Sequence, residues 1–201
     1  MHLDRSVPLI LASTSVSRRR LAESAGLICT VQASGVDEAA IKDQLEGVAP
    51  KTLASALAEA KALAVSSEEP ASFVIGADQI LWCEGDFFDK AKDMAGARRT
   101  LEALRGRSHE LYSAVVIARA GMIEWRFCDR AVLTMRLVSD GFLEEYLERV
   151  GEDILGSVGC YHLEGVGVQL FDKIEGSYFT VLGFPLLPLL EALRHRGVVG
   201  S

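Results

Sequence analysis

Apolar and polar positions follow one another along this chain in short segments that alternate between strand and helix character. Residues 7–12 form an unbroken apolar run of strand length, then Ser13-Thr14-Ser15, then a segment over 18–25 that reads as a short helix stopped at Gly26. The Ala-rich stretch 52–65 places Leu53, Leu57, Ala60 and Ala64 on one helical face, with Lys61 beside that stripe. Residues 73–77 read as a buried strand that ends at Asp78-Gln79, before 80–83 resumes the apolar pattern. Glu84-Gly85-Asp86 is a turn signal that folds Phe87-Phe88 back as a hairpin and delivers Asp89-Lys90 beside the preceding strand. Asp93 is an N-cap for a helix over 94–104, stopped by Gly106. Residues 111–117, 122–128 and 131–138 are three strand candidates, read as an antiparallel meander. Ser139 or Asp140 caps a helix over 142–150 that ends at Gly151; a Gly-rich stretch, a strand over 168–171 and a closing helix over 186–194 complete the pattern. Repeats, linkers and low-complexity tracts are missing, so residues 1–201 read as a single α/β domain with both crossover and hairpin connections.

Composition narrows the function classes. The chain has 201 residues, 49% hydrophobic and 24% charged, which is the balance of a folded globular protein. No segment reaches the roughly 18 apolar residues of a bilayer span; the nearest, 179–190, carries Pro185 and Pro188. The first six residues lack the basic and apolar regions of a signal peptide, so a cytoplasmic address is expected. Cys29, Cys83, Cys128 and Cys160 show no paired spacing and read as free thiols. With 21 basic against 28 acidic residues the net charge is −7, and the only basic block is Arg18-Arg19-Arg20, so a nucleic-acid partner is disfavoured. A small anionic ligand needs a local focus of cations, with help from a metal ion.

Four places can carry the chemistry of such a site. Ser13-Thr14-Ser15 before Arg18-Arg19 puts hydroxyls, free N–H groups and a bidentate donor at a strand-to-helix turn, where phosphate oxygens bind; it is equally an ordinary N-cap with a solvated basic face. Asp78, at the end of an apolar run, is exposed in a cleft, bonded to neighbours, or a metal ligand or base. Asp37-Glu38 is a carboxylate pair in an expected loop, and Lys61 and Lys90 are isolated cations. His2, His109, His162 and His195 form no ligand or dyad spacing, and no serine sits in a nucleophile elbow.

Taken in order, these segments resemble the Maf family of nucleoside triphosphate pyrophosphatases. The resemblance runs from Leu9-Ile10-Leu11-Ala12-Ser13-Thr14-Ser15 with Arg18-Arg19 through Val36-Asp37-Glu38, Leu57-Ala58-Glu59-Ala60-Lys61-Ala62 and Ile75-Gly76-Ala77-Asp78 to Lys90. It continues in Arg105-Gly106-Arg107-Ser108-His109, Glu164-Gly165, Ile174-Glu175-Gly176-Ser177-Tyr178 and Val181-Leu182-Gly183-Phe184-Pro185, and so covers nearly the whole chain. The chain departs from the family pattern at Val16, Asp89, Ala91 and Ser157. The resemblance implies an α/β fold of the Maf/ITPase-like kind, a mixed sheet with two lobes around a deep cleft. It implies a divalent metal, Mg²⁺ or Mn²⁺, and release of pyrophosphate from a nucleoside triphosphate, as in the clearance of non-standard nucleotides. By the same resemblance Asp78 is the general base, Glu38 holds the metal, and Ser13, Arg18, Lys61, Gln79, Lys90 and Glu164 bind substrate. A homodimer is compatible with it, and a catalytically weak nucleotide-binding regulator of cell division is the alternative function. Gln79 and Glu164 look closer to the branch acting on 7-methyl-GTP than to that acting on dTTP and UTP, whereas His109 matches the latter.

Overall fold

The computed structural model describes residues 7–200; the remaining residues, His2 among them, lie outside the described part. Element order is β1 (Leu9–Ala12), α1 (Val16–Ser24), β2 (Thr30–Val31), α2 (Glu38–Gln44), α3 (Pro50–Glu68), β3 (Phe73–Cys83), β4 (Asp86–Phe88), α4 (Met94–Leu104), β5 (Ser108–Arg119), β6 (Met122–Met135), α5 (Asp140–Val150), β7 (Phe171–Glu175), α6 (Tyr178–Val181) and α7 (Leu186–His195). Short 3₁₀ turns occupy Gly151–Gly156 and Val166–Leu170. The capping residues read from the sequence are in place: Asp93 accepts from the Gly96 N–H and Ser139 from that of Phe142.

All seven strands join one mixed sheet in the order β2-β1-β3-β5-β6-β7, with β4 on β3. β1 runs parallel to β2 and β3, and every other pairing is antiparallel. β5 covers one edge of β3 from Val74 to Trp82. Along the other edge β1 pairs with Phe73 to Gly76 and β4 with Leu81 to Cys83. Between these partners the β3 edge from Ala77 to Ile80 is unpaired in the sheet, and the backbone groups there are open to other uses.

One face of the sheet is covered by α3, whose buried residues are Leu53, Ala54, Leu57, Ala58, Lys61, Ala62, Val65 and Ser66. Lys61 therefore lies within the buried face, not beside it, and Ala60 and Ala64 flank that face. The helix approaches β3 closely because Gly76 has no side chain: a Cβ there would fall 2.2 Å from the Ala58 carbonyl oxygen. The other face carries two apolar cores. Leu11, Ile75, Ala77, Val115 and Ile117 pack with Phe184, Leu189 and Leu193; Leu81, Leu111, Leu133 and Met135 pack with Leu101, Leu104 and Leu143.

A polar row crosses three strands at the seam between these cores, with Gln79 registered opposite Ser113 and Ser113 opposite Asp129. A buried hydroxyl or amide costs about 1–3 kcal/mol unless bonded, and this row bonds to α6. Ser113 donates to the Thr180 carbonyl at 2.7 Å, Thr180 Oγ1 donates to Asp129 at 2.6 Å, and Gln79 Nε2 lies 3.0 Å from the carbonyls of both Thr180 and Val181.

Asp78-Gln79 does not interrupt its strand, because Asp78 meets a partner on α3 and Gln79 one on α6. Residues 122–128 and 131–138 are not separate strands: Asp129 bonds Thr180 and Arg130 pairs with Glu110 on β5, so polar residues sit mid-strand without a turn. Residues 168–171 are not a strand but mostly 3₁₀ turn, with Leu170 buried and Val168 exposed; the strand follows at Phe171–Glu175.

Candidate active site

A cavity of about 530 Å³ opens against the unpaired edge of β3, a size suited to a small-molecule ligand. The turn after β1 gives it Ser13, Thr14 and Ser15, α2 gives Glu38 and Lys42, and α3 gives Lys61. β3 adds Asp78 and Gln79, the segment after β4 adds Asp89 and Lys90, and the loop after Gly156 adds Tyr161 and Glu164. The structure thus brings together Ser13, Arg18, Glu38, Lys61, Asp78, Gln79, Lys90 and Glu164, whereas Arg19 and Asp37 lie outside the lining.

The centre of the site is an ion triad. Lys61 Nζ donates to Asp78 Oδ1 at 2.5 Å and to Glu38 Oε1 at 2.8 Å. Lys61 and Asp78 are 7% and 6% exposed, so the ammonium answers two acceptors that could not be left unpaired. Glu38 comes from a helix, not the expected loop: Asp37 caps α2 by accepting from the Ala40 N–H at 3.0 Å, which makes Glu38 its first residue.

Arg18 is buried and largely committed to the protein. Its Nε donates to the Gly183 carbonyl at 2.9 Å, and Nη1 donates to the Ala77 carbonyl at 2.9 Å and to Ser13 Oγ at 3.2 Å. The Ala77 carbonyl belongs to the open edge of β3. Of five N–H donors, the two on Nη2 remain for a ligand, so the expected bidentate fork is mostly spent on acceptors within the protein. Burial pushes the Arg18 pKa down, and the charges of Asp78 and Glu38 push it back up. Arg19 lies outside the cavity lining and pairs with Glu23.

Lys90 reaches the rim and makes no ion pair among the described residues. Desolvation on its protein side, then repulsion from Arg18 and Lys61, pushes its pKa down. Gln79 lines the cavity, but its amide nitrogen is bound to α6 and to Ser113, so it acts first as a clamp between β3 and the Gly183 turn. Glu164 is exposed on the cavity wall. His109, fully buried, is reached only through Tyr161: its Nε2 is 2.7 Å from the Tyr161 hydroxyl, and its Nδ1 has no partner. Desolvation pushes the His109 pKa down to about 4.

Lys42 escaped the sequence reading. It pairs with Asp89 across the cavity. Its signal was the cap at Asp37, since a helix starting at Glu38 puts Lys42 one turn further along the same face.

Formal charges in the lining cancel, with Arg18, Lys42, Lys61 and Lys90 against Glu38, Asp78, Asp89 and Glu164. A triphosphate carries about four negative charges, so this wall alone does not neutralise one. Among the described residues no three His, Cys, Asp or Glu side chains form a metal cluster. Glu38 and Asp78 nevertheless fit Mg²⁺ or Mn²⁺, because such ions are held by one or two carboxylates and complete their shells with water and phosphate oxygens.

The chain matches the family model described as Maf-like protein over residues 8–196. It is 50% identical over 194 residues to the nucleoside triphosphate pyrophosphatase of Caulobacter vibrioides, covering 96% of this chain and 97% of that one. It is 49% identical over 193 residues to the 7-methyl-GTP pyrophosphatase of Rhizobium etli, covering 95% and 97%. A second protein named nucleoside triphosphate pyrophosphatase, from Granulibacter bethesdensis, is 50% identical over 190 residues, covering 94% and 96%.

Proposed function

Since the chain belongs to the Maf family, it is a nucleoside triphosphate pyrophosphatase, and we propose that it prefers 7-methyl-GTP and works through the triad of Asp78, Lys61 and Glu38. Water adds to the α-phosphorus, the α–β anhydride breaks, and the products are the nucleoside monophosphate and pyrophosphate. The observation that carries the mechanism is the geometry at Asp78. Lys61 holds Oδ1, so the carboxylate is fixed in place and its second oxygen is left to take a proton from water.

Arg18 Nη2, Lys90 and the Ser13 hydroxyl supply donors for phosphate oxygens around that point, and the burial of Arg18 and Ser13 strengthens their contacts. Glu38 and Asp78 would hold the divalent ion. Such an ion would supply the positive charge the wall lacks and would lower the pKa of the attacking water. Glu164, on the cavity wall, would accept from the N1–H and amino group of a guanine, and its charge would favour a ring made positive by methylation.

The test is a panel of ordinary and modified nucleoside triphosphates with product identification. Competition of 7-methyl-GTP against UTP and dTTP should favour 7-methyl-GTP, and Glu164→Gln should narrow the preference. A parent enzyme that prefers UTP refutes the purine reading. Asp78→Asn should bind nucleotide while turning over at least about a hundredfold more slowly; near-normal turnover removes Asp78 from the role.

A further inference from the structure

The four cations of the cavity are not held alike. Arg18 and Lys61 are buried and each has two or more protein partners. Lys42 has one, Asp89, and the side chains of that pair are 31% and 75% exposed. Lys42 stands on α2 and Asp89 follows β4, so the pair joins two segments distant in sequence that line the same cavity. Lys90, the neighbour of Asp89, lines the same cavity as Lys42. Exposed ion pairs between mobile side chains are weak and exchange partners readily, and polyphosphate oxygens are strong acceptors of charge-assisted hydrogen bonds.

We propose that Lys42 is a binding residue for the pyrophosphate moiety of the substrate, held by Asp89 until phosphate oxygens displace that carboxylate. Asp89 is then a tethered competitor that weakens retention of both substrate and the pyrophosphate product. The proposal rests on the nucleoside triphosphate reading of the same cavity. On that reading the α-phosphorus reacts at Asp78, and Lys42 and Lys90, which line the same cavity, answer the charge of the remaining phosphates.

The test is inhibition of the full chain by inorganic pyrophosphate, measured as Ki in the wild type, Lys42→Met, Asp89→Asn and the double variant, with circular dichroism to verify folding. Lys42→Met should raise the Ki for pyrophosphate and the KM for substrate about tenfold, the usual scale of one charge-assisted contact, with kcat within about twofold. Asp89→Asn should lower the pyrophosphate Ki about two- to fivefold, in line with release of an exposed pair. The decisive comparison is the double variant, which should bind pyrophosphate about tenfold more weakly than Asp89→Asn alone. Equality of those two Ki values would mean that Asp89 acts by repulsion and Lys42 touches no phosphate. Shifts of the same sign in both single variants would mean that the pair is only a structural strap. Inhibition by 7-methyl-GMP should be unchanged, and a shift confined to it also overturns the assignment. Orthophosphate rather than pyrophosphate as the wild-type product refutes the underlying activity instead, before any variant is compared.

Discussion

Replacing Lys61 by methionine removes the one cation shared by Asp78 and Glu38, and the consequence can be worked from burial. Charge centres about 4 Å apart attract by about 4 kcal/mol at an effective dielectric of 20, while desolvation of each ion costs several kcal/mol. The net worth of the Lys61–Asp78 pair relative to neutral groups is therefore small. Removing only the ammonium leaves Asp78, 6% exposed, with its desolvation cost and a neighbouring carboxylate. The expected loss is about 3–5 kcal/mol of unfolding free energy. Asp78→Asn leaves Lys61 paired with Glu38 and should cost about 1–2 kcal/mol. In the double variant the buried charge is gone from both sides, so its loss should be smaller than that of Lys61→Met alone, with a coupling energy of about 2 kcal/mol or more. Urea midpoints for the four proteins at pH 7.5, taken without divalent cation, measure this directly. Additivity within about 0.5 kcal/mol would refute the idea that the ammonium and the aspartate answer each other in the folded state. The partial recovery should not extend to turnover, because the double variant lacks the proton acceptor.

Two further outcomes are expected. Gly76→Ala puts a methyl group 2.2 Å from the Ala58 carbonyl and 2.8 Å from the Ala62 Cβ. It should force α3 off β3, cost at least about 1–3 kcal/mol and lower activity by moving Lys61; a melting temperature within a degree of wild type would count against so close a contact. His109 has its folded-state pKa depressed from 6.5 to about 4, so between those values the unfolded chain binds more protons and stability falls as pH drops. From pH 7.5 to pH 5 the contribution lost is about 2 kcal/mol. His109→Leu should be less stable than wild type at pH 7.5, having left the Tyr161 hydroxyl without its partner, but should show a smaller decline across that range; equal declines would show that the imidazole does not titrate in this way.

Much of the frame was readable in the residues, for local reasons. The caps at Asp93 and Ser139 and the stop at Gly151 act within one turn of chain, and the turn at Glu84-Gly85-Asp86 needs only its own residues to fold back. What was misread depended on partners distant in sequence. Asp78 looked like a strand end because an acid in an apolar run is costly alone; Lys61, seventeen residues earlier, removes the cost. Asp129-Arg130 looked like a break because Thr180 and Glu110 were out of view. Helix α2 was missed for a different reason: none of its residues is fully buried, so it has no apolar stripe to read, and Asp37 was its only signal. Of the charged residues that line the cavity, the family pattern supplied all but Lys42 and Asp89.

The location of the site follows from the topology. A strand flanked on one edge first by a parallel and then by an antiparallel partner must have a gap where one leaves and the other arrives, and on β3 that gap is Ala77 to Ile80. Its carbonyl at Ala77 needs a donor, which draws in Arg18, and Arg18 in turn fixes the Gly183 turn through Nε. The Gln79–Ser113–Asp129 row holds the helix leading into that turn from the opposite side. Asp78 points to the α3 face of the same gap, where Gly76 lets the helix come close enough for Lys61 to reach it. Backbone that a regular sheet would have paired is thus the reason that a guanidinium, an ammonium and a carboxylate meet at one place, and a chain whose β1 continued four residues further along β3 would close the gap and lose the cavity.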